Sequence, residues 1–297
     1  MSVNLADQPA VVQEKRLTRR NFLLGSAATA AAGLAIYSGE FARHELSIVT
    51  HNIALANLPD AFHGYRVVQI SDIHLDEYTE PFFLSRVIEQ VNLLAPDLVL
   101  ITGDFISDTP LSPNFAYHAL FHCADQLRGL TCPRRFAVMG NHDDVLGPVN
   151  VRRALDNASI PLLVDQYVPI ERDGKRLWLA GVADPVTQAP NLDLAIPARP
   201  DGPVLLMCHA PDYADVLRLH SHGRSVDLML SGHSHGGQIR LPLVGPVILP
   251  FMGKKYIEGF FRFGNLQLYV NRGIGTVGMP FRLNCPPEIT LFTLTNA

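Results

Sequence analysis

Leu98-Val99-Leu100-Ile101-Thr102-Gly103-Asp104 runs from four apolar residues through a hydroxyl and a glycine to a carboxylate. The apolar run has the length and composition of a buried strand, and the polar residues that end it read as a loop leaving that strand. The arrangement recurs four times. Val67-Val68-Gln69-Ile70 leads into Ser71-Asp72-Ile73-His74, and Phe136-Ala137-Val138-Met139 into Gly140-Asn141-His142-Asp143. Val204 to Met207 leads, after Cys208, into His209, and Leu228-Met229-Leu230 leads into Ser231-Gly232-His233-Ser234-His235. Between the 67–70 and 98–101 runs, Phe83, Leu84, Val87, Ile88, Val91 and Leu94 recur at helical spacing, which predicts a crossover helix. Strands alternating with helices predict an α/β fold with partly parallel strands. In such sheets the loops beyond the carboxyl ends share one side, so five loops deliver their polar residues to one place.

Those residues are Asp72, His74, Asp104, Asn141, His209, His233 and His235. Carboxylate oxygens and neutral imidazoles suit Mn, Fe or Zn, and the lack of thiolates at these positions speaks against a structural cysteine-type zinc site. A carboxylate can bridge two cations, and the amide oxygen of Asn141 can complete a shell without adding charge. Two neighbouring cations can activate a bridging water and stabilise the attacking and leaving oxygens at phosphorus. Gly103, Gly140 and Gly232 directly precede their ligands, where they let the backbone turn sharply.

The composition is that of a globular protein, not a disordered or fibrous one: 47% of the 297 residues are apolar and 18% charged. The net charge of −4 hides an asymmetry, because Lys15, Arg16, Arg19 and Arg20 lie among the first twenty residues against Asp7 and Glu14. The remaining 20 basic and 26 acidic residues leave the body at −6, so binding to a nucleic-acid backbone is not expected. Cys208 and Cys285 sit among apolar residues and read as buried thiols, whereas Cys123 and Cys132 read equally well as free thiols or as a pair.

Taken in order, Asp72-x-His74, Gly103-Asp104, Gly140-Asn141-His142-Asp143, His209 and Gly232-His233-Ser234-His235 make the chain resemble the calcineurin-like metallophosphoesterases. The resemblance spans roughly Leu46 to the C-terminus. It is strongest to the bacterial branch with a twin-arginine leader, through Gly236-Gly237-Gln238, Arg272-Gly273-Ile274-Gly275 and the segment Arg282 to Glu288. It implies a four-layer α/β fold, two mixed β-sheets packed face to face and flanked by helices, over residues 45–297. It implies two divalent metals, one held by Asp72, His74 and His235, the other by Asn141, His209 and His233, with Asp104 bridging. It further implies that His142 does not ligate but protonates the leaving oxygen or stabilises phosphoryl charge.

In protein-phosphatase relatives an acid three positions after the Gly-Asp aspartate orients that histidine. Here the position is Ser107, which leaves Asp108 and Asp143 as the candidates for the task. Those relatives also clamp a phosphomonoester with arginines, and neither Phe105-Ile106-Ser107-Asp108 nor Asp144-Val145-Leu146 contains one. The expectation is therefore a phosphodiesterase or pyrophosphatase using a metal-bridging hydroxide. Its substrate class includes lipid-linked or nucleotide-sugar esters such as UDP-diacylglucosamine. A phosphomonoesterase is the alternative, and a non-catalytic scaffold is a third reading from another class. Scaffolds on this fold have typically lost ligands, and here all seven and His142 are in place.

Thr18-Arg19-Arg20-Asn21-Phe22-Leu23-Leu24 opens a stretch without charge from Asn21 through Gly39. This is the layout of a twin-arginine export signal over residues 1–39, so the export machinery is an expected partner. Its 19 uncharged residues are also long enough to remain as a membrane anchor. The expected location is the periplasm or the outer face of the cytoplasmic membrane. Leu241 to Met252 is apolar but broken by Pro242, Pro246 and Pro250, and reads either as a buried loop or as an exposed one that meets lipid. His220-Ser221-His222 reads as a solvated loop, and His118 with His122 as an ordinary helix face. Asp184 before Pro185 reads as a turn residue or a neighbour of the site. Arg240, Lys254, Lys255 and Arg272 read as surface charges or substrate contacts.

Overall fold

The computed structural model describes residues 18–76, 79–107 and 113–297. Asp108 and residues 1–17 of the expected signal therefore lie outside the described residues. Two sheets organise the chain. The first has the order β1 (Ser47–Leu55), β13 (Glu288–Asn296), β2 (Arg66–Ile70), β3 (Leu98–Ile101) and β4 (Arg135–Ala137). Within it, β2, β3 and β4 are parallel, β13 runs antiparallel to β2, and β1 is parallel to β13. The second has the order β11 (Gly259–Phe263), β12 (Leu266–Val270), β8 (Leu228–Ser231), β7 (Val204–Met207), β6 (Lys175–Gly181) and β5 (Gln166–Arg172). Its four central strands are parallel and its two edges antiparallel.

Alternation along the strands distributes their side chains to three cores. Val67, Leu98 and Leu100 point from the first sheet toward Leu177, Leu205, Met207, Leu228 and Leu230 of the second, which makes the inter-sheet core. Val68, Ile70, Val99 and Ile101 point the other way, against α2 (Pro81–Leu93), α3 (Pro113–Leu127) and α4 (Gly147–Asn157). Ala180, Val204, Leu206 and Met229 pack outward against short helical turns carrying Leu192, Ala214 and Leu217. The expected four layers are present. The predicted crossover helix is α2, which begins on Pro81 and buries Phe83, Leu84, Val87, Ile88 and Val91. Leu94 falls at its C-terminal cap and is half-buried instead of lying on the stripe. All four cysteines are free and buried, so Cys123 and Cys132 are not paired.

The strand ends β2, β3 and β4 on one sheet and β7 and β8 on the other open toward the same side. Gln69 fastens them there: its amide Nε2 donates to Thr102 Oγ1 at 2.9 Å and to the Ser231 carbonyl at 3.0 Å. Ahead of the sheets, α1 (Arg19–Ile36) begins at Thr18, whose hydroxyl accepts from Asn21 N, and none of its residues is buried. The helical segment Arg19–His44 is long and apolar enough to cross a membrane.

Candidate metal centre

The backbone beyond β2, β3 and β8 is wound into an uncommon conformation. Asp72, His74, Asp104, His233 and His235 all have positive φ, between 47° and 70°. Such a conformation is uncommon for non-glycine residues, and strained backbone of this kind clusters at functional sites. Two of the three glycines act differently from the sequence expectation. Gly103 does turn with φ of 95°. Gly140 and Gly232 do not have positive φ; they are needed for close approach. A Cβ on Gly140 would lie 2.1 Å from Asp104 Oδ1, and one on Gly232 would lie 2.2 Å from Asp72 Oδ2. The other sharp turns fall at five of the expected ligands, Asp72, His74, Asp104, His233 and His235.

Six of the seven expected ligands, Asp72, His74, Asp104, His209, His233 and His235, are buried, and Asn141 is half-buried beside them. Their donor atoms face one another in two groups, and a further group brings His142 together with His74 and Asp104. In the first, His74 Nε2 lies 3.1 Å from His235 Nε2, which lies 3.3 Å from Asp72 Oδ1. In the second, His209 Nε2 lies 3.2 Å from His233 Nδ1. Asp104 Oδ2 lies 3.6 Å from His74 Nε2 in one group and 3.1 Å from His209 Nε2 in the other. Metal–ligand bonds of about 2.0–2.2 Å place neighbouring donors roughly 3–3.5 Å apart around a shared cation, which is the spacing seen here.

The outer contacts set which ring nitrogen faces inward. His209 Nδ1 donates to the Thr102 carbonyl at 2.7 Å and His233 Nε2 to the Phe251 carbonyl at 2.7 Å. Each ring therefore turns its other nitrogen toward the cluster. His74 Nδ1 pairs with Ser107 Oγ at 3.0 Å. Ser107, at the position where phosphatase relatives carry an acid, thus serves a ligand. The Asn141 Oδ1 atom is buried with no hydrogen-bond partner, a costly state for an acceptor unless a cation takes its lone pair. The donor set and this orphaned oxygen fit a pair of divalent cations.

Charge follows the same plan. Burial pushes His74 down to about 3 and His233 down to about 4, and holds His235 well below its ordinary value, so all three are neutral bases near pH 7. Burial also acts to lower His209, but the adjacent Asp104 carboxylate outweighs it and raises that imidazole. Asp104 is correspondingly held well below the usual carboxylate range, against the effect of its own burial. Burial lifts Asp72 to about 6, and burial together with the Asp104 charge lifts Asp143 to about 7.

Asp143 is turned toward the backbone. Its Oδ2 accepts from Asp104 N at 2.8 Å and Gly140 N at 2.9 Å, and its Oδ1 from Phe105 N at 2.8 Å. It thereby joins the β3 and β4 loops beneath the cluster. His142 is half-buried on the open side, its ring 5.0 Å from that of His74, and its backbone N–H donates to Asp104 Oδ1 at 3.0 Å.

Arg282 received no role from its sequence context, yet it is a fully buried cation. Its guanidinium donates to the carbonyls of Arg272, Gly273, Gly275 and Cys285. This frames the loop that backs Asp72, where Gly275 N donates to the Asp72 carbonyl at 2.7 Å. Asp184 caps its own turn by accepting from Val186 N and Thr187 N. His122 pairs with Asp76, and His220 and His222 face Asp193 near the surface, away from the cluster.

The cluster borders a cleft of about 430 Å³, lined by Asp104, Asn141, His142, His233 and His235 together with mainly apolar residues. Among the described residues no lysine or arginine lines it. Arg240 pairs with Glu258, Lys255 with Asp215 and Arg272 with Glu288.

A carboxylate shared between two buried imidazole sets, at the strand ends of a double sheet, defines a metal-dependent phosphoester hydrolase. The chain belongs to the calcineurin-like phosphoesterase family, whose model matches residues 65–237. It is 35% identical over 290 residues to the metallophosphoesterase YkuE of Bacillus subtilis, covering 94% of this chain and 98% of that protein. It is 31% identical over 298 residues to the phosphodiesterase YaeI of Escherichia coli, covering 94% and 99%. It is 28% identical over 302 residues to the UDP-2,3-diacylglucosamine pyrophosphatase LpxG of Chlamydia muridarum, covering 79% and 85%.

Proposed function

We propose that the chain hydrolyses phosphodiester or pyrophosphate bonds with two divalent cations. Asp72, His74 and His235 would hold one, Asn141, His209 and His233 would hold the other, and Asp104 would serve both. The observation that carries this reading is the position of Asp104 Oδ2, within 3.6 Å of one imidazole set and 3.1 Å of the other. When bound, such a pair polarises phosphoryl oxygens and supplies a nucleophile from water at neutral pH. The nitrogen and oxygen donors suit Mn, Fe or Zn.

The protein's own residues do the rest. The carbonyls of Thr102 and Phe251 hold His209 and His233 in the ligating orientation. Asp143 fixes the two loops from which Asp104 and Asn141 project. His142, at the open edge of the cluster, donates a proton to the leaving oxygen or balances charge on the phosphoryl group. A diester or pyrophosphate is favoured because the described cleft lining has no cation to clamp a doubly charged monoester. The phosphodiesterase YaeI and the pyrophosphatase LpxG, both similar to this chain, point the same way. Residues 45–297 form the catalytic domain in this reading. Residues 1–39 direct export through the twin-arginine route, and residues 21–39 anchor the product at the outer face of the membrane when they are retained.

The full-length protein, purified and loaded with Mn²⁺, is expected to bind two metal ions per chain and to hydrolyse bis(p-nitrophenyl) phosphate faster than p-nitrophenyl phosphate. A chain that takes up no metal, or that prefers the monoester, overturns the assignment.

A further inference from the structure

The cleft lining is apolar along two segments: Val247, Ile248 and Pro250, which follow the strand pairing at Pro246, form one lip, and Val277 and Met279 form the other. The same surface continues beyond the cleft. Strands β9 (Arg240–Leu241) and β10 (Gly245–Pro246) form a short hairpin. Its tip holds Leu243 fully exposed and Val244 73% exposed, and Ile248 and Phe251 just after it are 69% and 68% exposed. Leu243 has φ of 66°, a conformation that glycine, asparagine or aspartate adopts at least cost. A hairpin that only had to be soluble would carry one of those at its tip. A leucine held there in water, beside three more exposed apolar side chains, marks a surface made for an apolar partner.

A second feature identifies that partner. The apolar helix α1, with no buried residue, leaves the body at the other lip of the cleft. Just past its end, Gly39 packs on the Phe281 ring and the Ser38 carbonyl accepts from Arg282 N at 3.0 Å. This places the helix end directly against the segment that follows Val277 and Met279. Gln238 ties the two lips together, donating to the carbonyls of Val277 and Met279 and accepting from Val277 N. The membrane-compatible helix and the exposed hairpin thus flank one opening.

We infer that the β9–β10 hairpin and the apolar segment that follows it to Phe251 form a bilayer-docking surface that, together with α1, sets the mouth of the metal cleft against lipid. One surface satisfies both features: the helix inserts, and the hairpin tip sinks its leucine and valine to the depth typical of interfacial segments. The docking stands on geometry; only the fate of a lipid-borne ester at the cleft rests on the hydrolytic reading above.

The test uses the full chain in vesicles of phosphatidylethanolamine and phosphatidylglycerol containing nitroxide-labelled lipid. All four native cysteines are buried, so Leu243→Cys can carry an environment-sensitive fluorophore selectively. Leu93→Cys is the control, being 71% exposed at the opposite ends of the strands. The label at 243 is expected to be quenched by the nitroxide lipid at least threefold more than the label at 93. Equal quenching overturns the proposal. So does a spectral change at 243 that follows protein concentration without lipid, which would make the surface an interface between copies.

The second arm compares Leu243→Asp/Val244→Asp with the parent chain on two substrates, bis(p-nitrophenyl) phosphate in solution and the p-nitrophenyl ester of phosphatidic acid in vesicles. Aspartate tolerates the positive φ at 243, so folding is not at risk. KM for the vesicle-borne ester is expected to rise at least tenfold with turnover of the soluble diester unchanged. An unchanged KM overturns the role of the hairpin. If the parent chain hydrolyses neither ester, the hydrolytic reading fails, while the quenching result still decides the docking.

Discussion

Replacing Asn141 by alanine should move stability and metal binding in opposite directions. In the metal-free protein the Asn141 Oδ1 atom is a buried acceptor with no partner, and such an atom costs about 1–3 kcal/mol. Removing it relieves that cost, while the lost packing of a half-buried amide takes some of the gain back. A net gain of about 1 kcal/mol corresponds to a rise of roughly 2 °C in Tm for a chain of this size.

With metal present the sign reverses, because one ligand of the second cation is gone. Loss of an outer-shell partner alone typically costs 10- to 100-fold in affinity, so a ligand should cost at least ~100-fold. By linkage that forfeits about 2.7 kcal/mol of metal-derived stabilisation, or roughly 5 °C. The assay is differential scanning calorimetry of parent and Asn141→Ala, each after chelation and again with excess Mn²⁺, alongside metal content by mass spectrometry. A metal-free variant less stable than the parent by more than about 1 kcal/mol, the scale of an ordinary hydrogen bond lost, would refute the idea that Oδ1 is held ready for a cation. So would an unchanged Mn²⁺-induced rise in Tm.

Three further outcomes are expected. His142→Ala should lower kcat on a phosphodiester by about 10²- to 10⁴-fold with bound metal nearly unchanged; full activity in that variant removes the proton-transfer role. Asp143→Asn should leave one of three buried amide N–H groups facing a donor, costing about 1–3 kcal/mol in urea unfolding and weakening metal uptake; stability within 0.5 kcal/mol of the parent, a typical surface effect, contradicts the bracing role. Metal uptake near neutral pH should release protons, because Asp104 keeps His209 charged in the metal-free protein and only the neutral ring can ligate. A group with a raised pKa stays protonated below that value, so affinity should climb as pH rises. Calorimetric titration in buffers of different ionisation enthalpy should register at least one proton per chain, and none would contradict it.

Much of this protein can be read locally. A run such as Leu98–Ile101 ending in Gly103-Asp104 states both a buried strand and the group it delivers, because side-chain hydrophobicity and backbone propensity act over a few residues. Five such runs therefore picked out seven polar side chains that the structure brings together, the helix between the first two and the convergence of the loops on one side. The amphipathic stripe of α2 was equally visible, apart from Leu94, whose place at the helix end depends on where the chain turns.

What the sequence could not contain are distances between residues far apart in the chain. That Gly140 and Gly232 are glycines because Asp104 and Asp72 press against them, not because the backbone turns there, is a fact of two loops meeting. That Asp143 faces three amide groups, that Ser107 serves His74 and that Arg282 frames the loop behind Asp72 follow from the same meeting. The broken apolar stretch 241–252 read equally well as buried or exposed, since hydrophobicity alone does not say which face a loop presents. Only the hairpin between β9 and β10, with Leu243 at its tip, put that stretch in solvent beside the cleft. The chemistry of the donors was written locally, and the fit of each donor to its neighbours was decided by packing.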